Sequence, residues 1–80
     1  MTARDEILDA LPRLRARLGR DDFTPAEVLQ ELRRAGSVYS DSTIRTHVTS
    51  RMCGNAPDNH GVVYSDLERI GHGRYRQRQA

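Results

Sequence analysis

The strongest constraint on the fold is a helix start signal at Thr24-Pro25, near the end of the first third of the chain. Thr24 can cap a helix, and Pro25 stands at the first helical position, where its missing amide removes no hydrogen bond. Glu27 completes a capping box with Thr24. Gly36 is placed to end the helix, because glycine readily adopts the left-handed conformation of a C-terminal cap. The sequence therefore predicts a helix over about residues 25–35.

A second helix is predicted shortly after the first, over about residues 41–52. The connection Gly36-Ser37-Val38-Tyr39 is short, and Ser40 or Asp41 can cap the helix that follows. Ile44, Val48 and Met52 recur every four residues, the period of one helical stripe. Two short helices joined by a tight turn form a helix-turn-helix.

An amphipathic helix is predicted ahead of this pair, over about residues 3–18. Thr2 can cap it, Gly19 can end it, and one stripe carries Ile7, Leu11, Leu14 and Leu18. Pro12 removes the amide that would bond to the carbonyl of Leu8, so a kink or a break into two short helices is expected there. Asp22-Phe23 is predicted to be a short extended piece.

The last third of the chain is predicted to hold a loop and a β-hairpin. The segment 55–61 has the composition of a loop, and Val62-Val63-Tyr64 is β-prone. A hairpin is expected from Leu67 to Arg76 around Gly71-His72-Gly73, whose glycines supply the backbone freedom that a short turn needs. The predicted fold class is α+β, mainly α, with three helices and a C-terminal hairpin, and the whole β region spans about residues 62–77.

Length and composition indicate a single small globular domain over residues 1–80. A hydrophobic fraction of 36% and a charged fraction of 30% are typical of a folded chain rather than a disordered tail. Cys53 is the only cysteine, so an intramolecular disulfide is impossible. No apolar run approaches the roughly 20 residues needed to cross a bilayer, and no signal-peptide core is present. The expected location is cytoplasmic, with no membrane partner.

The charge pattern favours an anionic partner. All 13 basic residues are arginine, although the net charge is only +2. Each arginine carries a planar fork that can bind phosphate or a guanine edge through two hydrogen bonds, although a GC-rich genome would also favour arginine. The chain after Glu68 contains four arginines and a histidine but no acid. A solvated tail would show the same pattern.

The order of helix, extended piece, helix, tight turn, polar helix and hairpin resembles the winged helix-turn-helix family of DNA-binding domains. The likeness extends from about Arg4 to Arg76. The stretch FTPAEVLQELRRAGSVYSDSTIRTHV, followed by the loop and Gly-x-Gly-Arg-Tyr-Arg, is similar to bacterial winged-helix modules found alone or fused to restriction-type nucleases. This resemblance implies a reader of double-stranded DNA, as a transcriptional regulator or a DNA-reader module, associated with the nucleoid. Gly71-His72-Gly73 would be the tip of the wing.

The third helix holds the residues that would touch DNA. On a helical wheel, Ser42, Thr46, Thr49 and Cys53 lie opposite the apolar stripe, Ser50 lies beside them, and Arg45 flanks both faces. Residues at the start of a recognition helix contact base edges in the major groove. The candidates on this helix are Ser42, Thr43, Arg45, Thr46, Thr49 and Ser50. Their alternative role is a plain solvated surface.

The candidates differ in their expected roles. Arg45 is the candidate for a specific contact with guanine, while serine and threonine hydroxyls more often bind phosphate oxygens. His47 is expected at the edge of the core, and Arg51 is expected to support the loop through an acid or loop carbonyls. On the wing, Arg69, His72, Arg74 and Arg76 could bind the backbone or the minor groove, or lie in solvent. The three tyrosines are expected at the edge of the core.

Catalytic and metal chemistry find little support in the residues. Cys53, His47, His60 and His72 lack the close spacing of a structural zinc site, and no acid pair or glycine-rich phosphate loop is present. The chain is therefore expected to be neither an enzyme nor a cofactor-dependent protein. The alternative function is a winged-helix module that docks another polypeptide without binding DNA. The sequence leaves open whether the chain forms a homodimer.

Overall fold

The computed structural model describes residues 2–54 and 64–78. Three helices and a three-stranded antiparallel sheet form its secondary structure, so the predicted α+β class with a C-terminal hairpin is confirmed. The elements in chain order are α1 (Ala3–Leu18), β1 (Asp22–Phe23), α2 (Pro25–Arg34), α3 (Asp41–Thr46), a π-helical turn (His47–Arg51), β2 (Leu67–Gly71) and β3 (Arg74–Gln77). The predicted loop over 55–61 and the β-prone Val62 and Val63 lie outside the described residues.

Capping boxes begin α1 and α2, as the sequence predicted. The Thr24 hydroxyl accepts from the Glu27 amide at 3.2 Å, and the Glu27 carboxylate accepts from the Thr24 amide at 2.8 Å. Thr2 and Asp5 make the same reciprocal pair at the start of α1. At the other end of α1, Gly19 has a φ of 69°, a left-handed cap that glycine adopts without steric cost.

The predicted break at Pro12 does not occur, because α1 runs unbroken from Ala3 to Leu18. Pro12 lies on the exposed side of the helix, so its ring does not interrupt the face that packs on the core. The buried stripe of Ile7, Leu11 and Leu14 continues across this position. Packing of that stripe offsets the single lost hydrogen bond.

The turn between α2 and α3 is held by both backbone and side-chain bonds. Gly36 has a φ of 81°, and the Ser37 amide donates to the carbonyl of Leu32 at 3.0 Å. Arg33 spans the turn, since its guanidinium donates to the Ser37 carbonyl at 3.1 Å and pairs with Asp41. These bonds fix the direction in which α3 leaves α2.

The short extended piece Asp22–Phe23 joins the hairpin to form one sheet with strand order β1-β3-β2. Phe23 and Arg69 both lie opposite Tyr75, while Asp22 and Glu68 both lie opposite Arg76. Arg69 therefore shares one face of the sheet with Phe23 and Tyr75, which are buried there. The opposite face carries Asp22, Glu68 and Arg76. The hairpin extends from Leu67 to Gln77, close to the predicted Leu67 to Arg76. Tyr64, from the predicted β-prone segment, is outside any strand.

One hydrophobic core joins the three helices to the sheet. Its largest fully buried side chains are Phe23 from β1, Ile7 and Leu11 from α1, Leu32 from α2, and Ile44 from α3. Tyr75 closes the core from the sheet side with 6% of its surface exposed. Within the described residues, no helix has the length and apolar character of a membrane span.

Candidate functional site

α3 starts with a cap that also organises its first hydroxyl side chains. The Ser40 hydroxyl accepts from the Thr43 amide at 3.2 Å and donates to the Thr43 hydroxyl at 2.9 Å. The Ser42 hydroxyl oxygen is 3.3 Å from the Ser40 hydroxyl oxygen. Of the two residues that the sequence proposed as cap, Ser40 is therefore the one that acts, and Asp41 stands in the first turn.

The second half of the predicted helix is a π-helical turn rather than an α-helix. The Met52 amide donates to the carbonyl of His47, five residues earlier, at 2.8 Å. Ile44, Val48 and Met52 are all fully buried, so the apolar stripe docks this segment on the core as predicted. Single π turns inside helices occur frequently at functional sites.

The π turn explains why Cys53 is buried, whereas the helical wheel placed it on the polar face opposite the core. Only 1% of Cys53 is exposed, and its backbone forms a bridge with Leu67. Each residue of a π turn rotates less about the helix axis than a residue of an α-helix. A residue after the turn therefore has a smaller angle around the helix axis than an α-helical wheel assigns to it. This smaller rotation moves Cys53 from the polar face toward the buried side of Met52.

The six candidate residues on this segment share its outer surface. Ser42, Arg45, Thr46 and Thr49 are exposed, and Thr43 and Ser50 are half-buried. The Thr49 hydroxyl donates to the carbonyl of Arg45 at 2.8 Å, which leaves its oxygen able to accept. Among residues 2–54 and 64–78, Arg45 forms no ion pair.

A shallow depression of about 300 Å³ lies on one side of this surface. It is lined by Ser42, Thr43, Thr46, His47 and Arg51, while Arg45 and Thr49 do not contribute to it. The Nδ1 atom of His47 is 2.8 Å from the carbonyl oxygen of Thr43. Since a carbonyl only accepts, Nδ1 must carry the hydrogen, and Nε2 is the nitrogen left for a ligand. His47 is thus bonded to the backbone at the core edge, as the sequence indicated, and also borders the depression.

Arg51 borders the same depression, a position that the sequence analysis did not assign to it. Its side chain lines the depression, and its backbone carbonyl accepts from the Tyr64 amide at 2.7 Å. The loop that Arg51 was expected to support lies outside the described residues. Within the described part of the chain its guanidinium has no carboxylate partner. The sequence could have predicted that Arg51 lies beside His47, because both fall on the same flank of the apolar stripe.

The arginines of β3, and Arg78 just after it, lie beside carboxylates. Arg74 pairs with Asp22 at 3.1 Å across the sheet. Glu68 pairs with Arg76 and lies 3.9 Å from Arg78. These pairs follow from the register, which brings Asp22 and Glu68 to the same face as Arg76. The sequence predicted a hairpin rich in arginine. It did not predict that the sheet places the carboxylates of Asp22 and Glu68 beside those arginines.

The two remaining wing candidates lie toward the hairpin tip. His72 and Arg69 are both exposed, and the Arg69 guanidinium donates to the carbonyl of Gly71 at 3.2 Å. The strand pairing is irregular between Arg69 and Gly71, which adds one unpaired residue to β2. The structure therefore brings four wing candidates into one hairpin but does not join them to the depression on α3.

The tyrosines divide between the core and the surface. Tyr75 is buried and Tyr39 packs against the core, as expected. Tyr64 instead is 42% exposed, and the guanidinium of Arg4 lies 4.1 Å from the centre of its ring. Arg4 also makes two hydrogen bonds to Asp66, at 2.7 and 2.9 Å, which raise the pKa of the guanidinium above its ordinary value. This cluster ties α1 to the segment that leads into β2.

Metal ligands do not converge anywhere in the described part of the chain. No group of three or more His, Cys, Asp or Glu side chains there could hold an ion. The functional candidates are therefore hydrogen-bond donors and cations on α3, its π turn and the hairpin, a set suited to binding an anion.

Comparison with curated proteins and with solved structures finds no match to this chain. One family does match, described as a domain of unknown function (DUF7669), and the match covers residues 7–77. That range begins in the first helix and ends with the last residue of β3, so it contains every candidate residue on α3 and on the hairpin. The chain belongs to the DUF7669 family.

Proposed function

We propose that this chain is a double-stranded DNA-binding domain of winged-helix type, a reader module or transcriptional regulator associated with the nucleoid. α3 and its π turn would lie in the major groove, and the β2–β3 hairpin would act as a wing on the neighbouring backbone or minor groove. The sequence of elements supports this proposal, because a tight turn joins α2 to α3 and a hairpin follows.

One observation carries the proposal: the surface of α3 and the π turn combines hydroxyl groups with two arginines that have no carboxylate partner among the described residues. Arg45 and Arg51 are these arginines. Eight of the 13 arginines do form ion pairs there, namely Arg4, Arg13, Arg17, Arg20, Arg33, Arg74, Arg76 and Arg78. An arginine that lacks a carboxylate can bind phosphate or guanine without breaking an ion pair first.

The direct test is a titration of a labelled random-sequence duplex with the folded protein at low salt, followed by fluorescence anisotropy. We expect saturable binding that weakens steeply as salt rises, because each phosphate contact releases counterions. Selection from a random duplex library, with and without methylation, would then identify the target. No binding to any duplex at low salt, by monomer or homodimer, would contradict the proposal.

Docking of another polypeptide is a second candidate function, favoured by the exposure of Val38. This apolar side chain stands in the turn between α2 and α3 with 93% of its surface exposed. A single exposed apolar residue is common on protein surfaces, so this observation weighs less than the arginine-bearing face. A Val38→Ser variant distinguishes the two candidates, because it should leave duplex binding unchanged and weaken binding of a polypeptide partner.

A further inference from the structure

We propose that the depression on α3 is a phosphate site, in which Arg51 and the hydroxyl groups beside it hold one phosphate of the DNA backbone. This inference rests on the proposed function and divides the α3 surface into two parts. The depression would fix the register of the helix on the duplex, while Arg45 and Thr49, which lie outside it, would face the base edges.

The chemistry of the lining suits a phosphate. Ser42, Thr43 and Thr46 contribute hydroxyl donors, and Arg51 contributes a guanidinium fork. None of the five described residues that line the depression is acidic, so no carboxylate there repels an anion. The volume of about 300 Å³ and its open shape admit a phosphate that remains attached to its two sugars.

The backbone around the depression is fixed before any ligand binds. The Tyr64 amide holds the carbonyl of Arg51 at 2.7 Å, and the Met52 amide holds the carbonyl of His47 at 2.8 Å. The bond from Nδ1 of His47 to the Thr43 carbonyl orients the ring. A preformed site loses less conformational entropy on binding than a site that must be ordered by its ligand.

The lack of a carboxylate partner among the described residues distinguishes Arg51 from Arg74 and Arg76 of the hairpin. Arg74 and Arg76 already contact Asp22 and Glu68, so a phosphate must compete with a carboxylate for each of them. Arg51 has no such competitor among the described residues. The first phosphate contact of the chain is therefore expected at the depression rather than on the wing.

The experiment compares the salt dependence of duplex binding for the full chain and three variants. A random-sequence duplex suffices, because phosphate contacts do not depend on sequence. Arg51→Gln removes the proposed contact, Arg51→Lys keeps its charge but not its fork, and Arg34→Gln is the control. Arg34 is exposed, forms no ion pair in the described part of the chain, and does not line the depression. Circular dichroism checks that each variant is folded.

We expect Arg51→Gln to reduce the magnitude of the slope of log K against log salt by about 0.9, the contribution of one phosphate contact. Arg51→Lys should keep the wild-type slope while binding more weakly, and Arg34→Gln should keep both. A purely structural role of Arg51 would lower the melting temperature in both Arg51 variants without changing the slope.

The two proposals fail in different ways. If the wild-type chain binds duplex but Arg51→Gln keeps its slope, or if Arg34→Gln loses as much, the phosphate site is refuted and the proposed function stands. If Arg51→Gln does not fold, the affinity of the folded Arg51→Lys variant decides: wild-type affinity at low salt refutes the site, because the guanidinium fork then makes no contact. If the wild-type chain binds no duplex, both proposals fall.

Discussion

At the scale of single residues, Glu31 has a structural role that its charge alone would not suggest. It lies in α2 with only 4% of its surface exposed, and its carboxylate accepts from Arg17 at 2.9 Å and lies 3.6 Å from Arg13. The hydrogen bond from Arg17 lowers the pKa of this carboxyl below its ordinary value, against the opposing effect of burial. Glu31 therefore ties α2 to α1 through the ionised form.

The lowered pKa predicts a loss of stability in acid. The contribution of Glu31 is complete above the ordinary pKa of 4.5 and is lost as the pH falls through the lowered folded-state pKa. Glu31→Gln should cost about 1 kcal/mol at neutral pH, the difference between a charge-assisted and a neutral hydrogen bond, and should weaken the acid dependence. Urea unfolding at several pH values measures both quantities.

Asp9→Asn is the matched control for that prediction, because Asp9 also pairs with Arg13 but is 65% exposed. An exposed pair contributes little, so this change should cost less than about 0.5 kcal/mol. Equal losses in the two variants would show that the buried position of Glu31 has no special effect.

Arg45 is the residue for which a sequence-reading role is predicted. Arg45→Ala should reduce discrimination between the selected duplex and a duplex with a changed guanine by about 1–3 kcal/mol, the value of one two-bond contact. Competition binding with the two duplexes measures the difference. Preserved discrimination in the folded variant would remove Arg45 from the reading surface.

At the scale of elements, the sequence predicted the helix ends better than the winding between them. Caps depend on two or three neighbouring residues, such as Thr24 with Glu27, so local sequence determines them. The π turn and the unbroken helix at Pro12 depend on how these segments pack against the rest of the molecule. A short stretch of sequence does not contain that information. The π turn also brings Cys53 into the core. The helical wheel wrongly placed Cys53 on the polar face, because it assumed an α-helix up to that residue.

The cap of α3 gives a prediction on stability. Ser40→Ala removes the acceptor for the Thr43 amide and should cost about 1 kcal/mol, which lowers the melting temperature of a domain of this size by about 4–8 °C. Ser42→Ala is the control, since it removes a neighbouring hydroxyl that does not cap the helix. Thermal unfolding followed by circular dichroism compares them, and an equal shift in both variants would argue against the cap.

The hairpin gives a prediction on binding. Glu68 contacts Arg76 and lies near Arg78, so Glu68→Gln should free two cations of the wing and strengthen duplex binding at low salt. Glu6→Gln, a change of the same charge on α1, is the control for net charge. Anisotropy titrations should show a larger gain for Glu68→Gln; equal gains would mean that only net charge matters.

At the scale of the whole molecule, the site depends on contacts between segments that are far apart in sequence. The pairing of Phe23 with Tyr75 makes β1 part of the sheet, and that sheet carries the acids beside the wing arginines. The sequence predicted the six candidates on α3, but not that Arg51 and His47 would join three of them in a depression. Periodicity shows which residues are on the outer face, whereas the shape of that face depends on the π turn.

A pair of double variants tests whether α3 and its π turn bind duplex DNA, as we propose. Arg45→Gln/Arg51→Gln removes two charges from α3 and its π turn, and Arg15→Gln/Arg34→Gln removes two charges from α1 and α2. Neither pair includes an arginine with a carboxylate partner in the described residues. We expect the α3 variant to bind a duplex about tenfold more weakly or worse, with the other variant close to wild type. Equal affinities for the two double variants would contradict the claim.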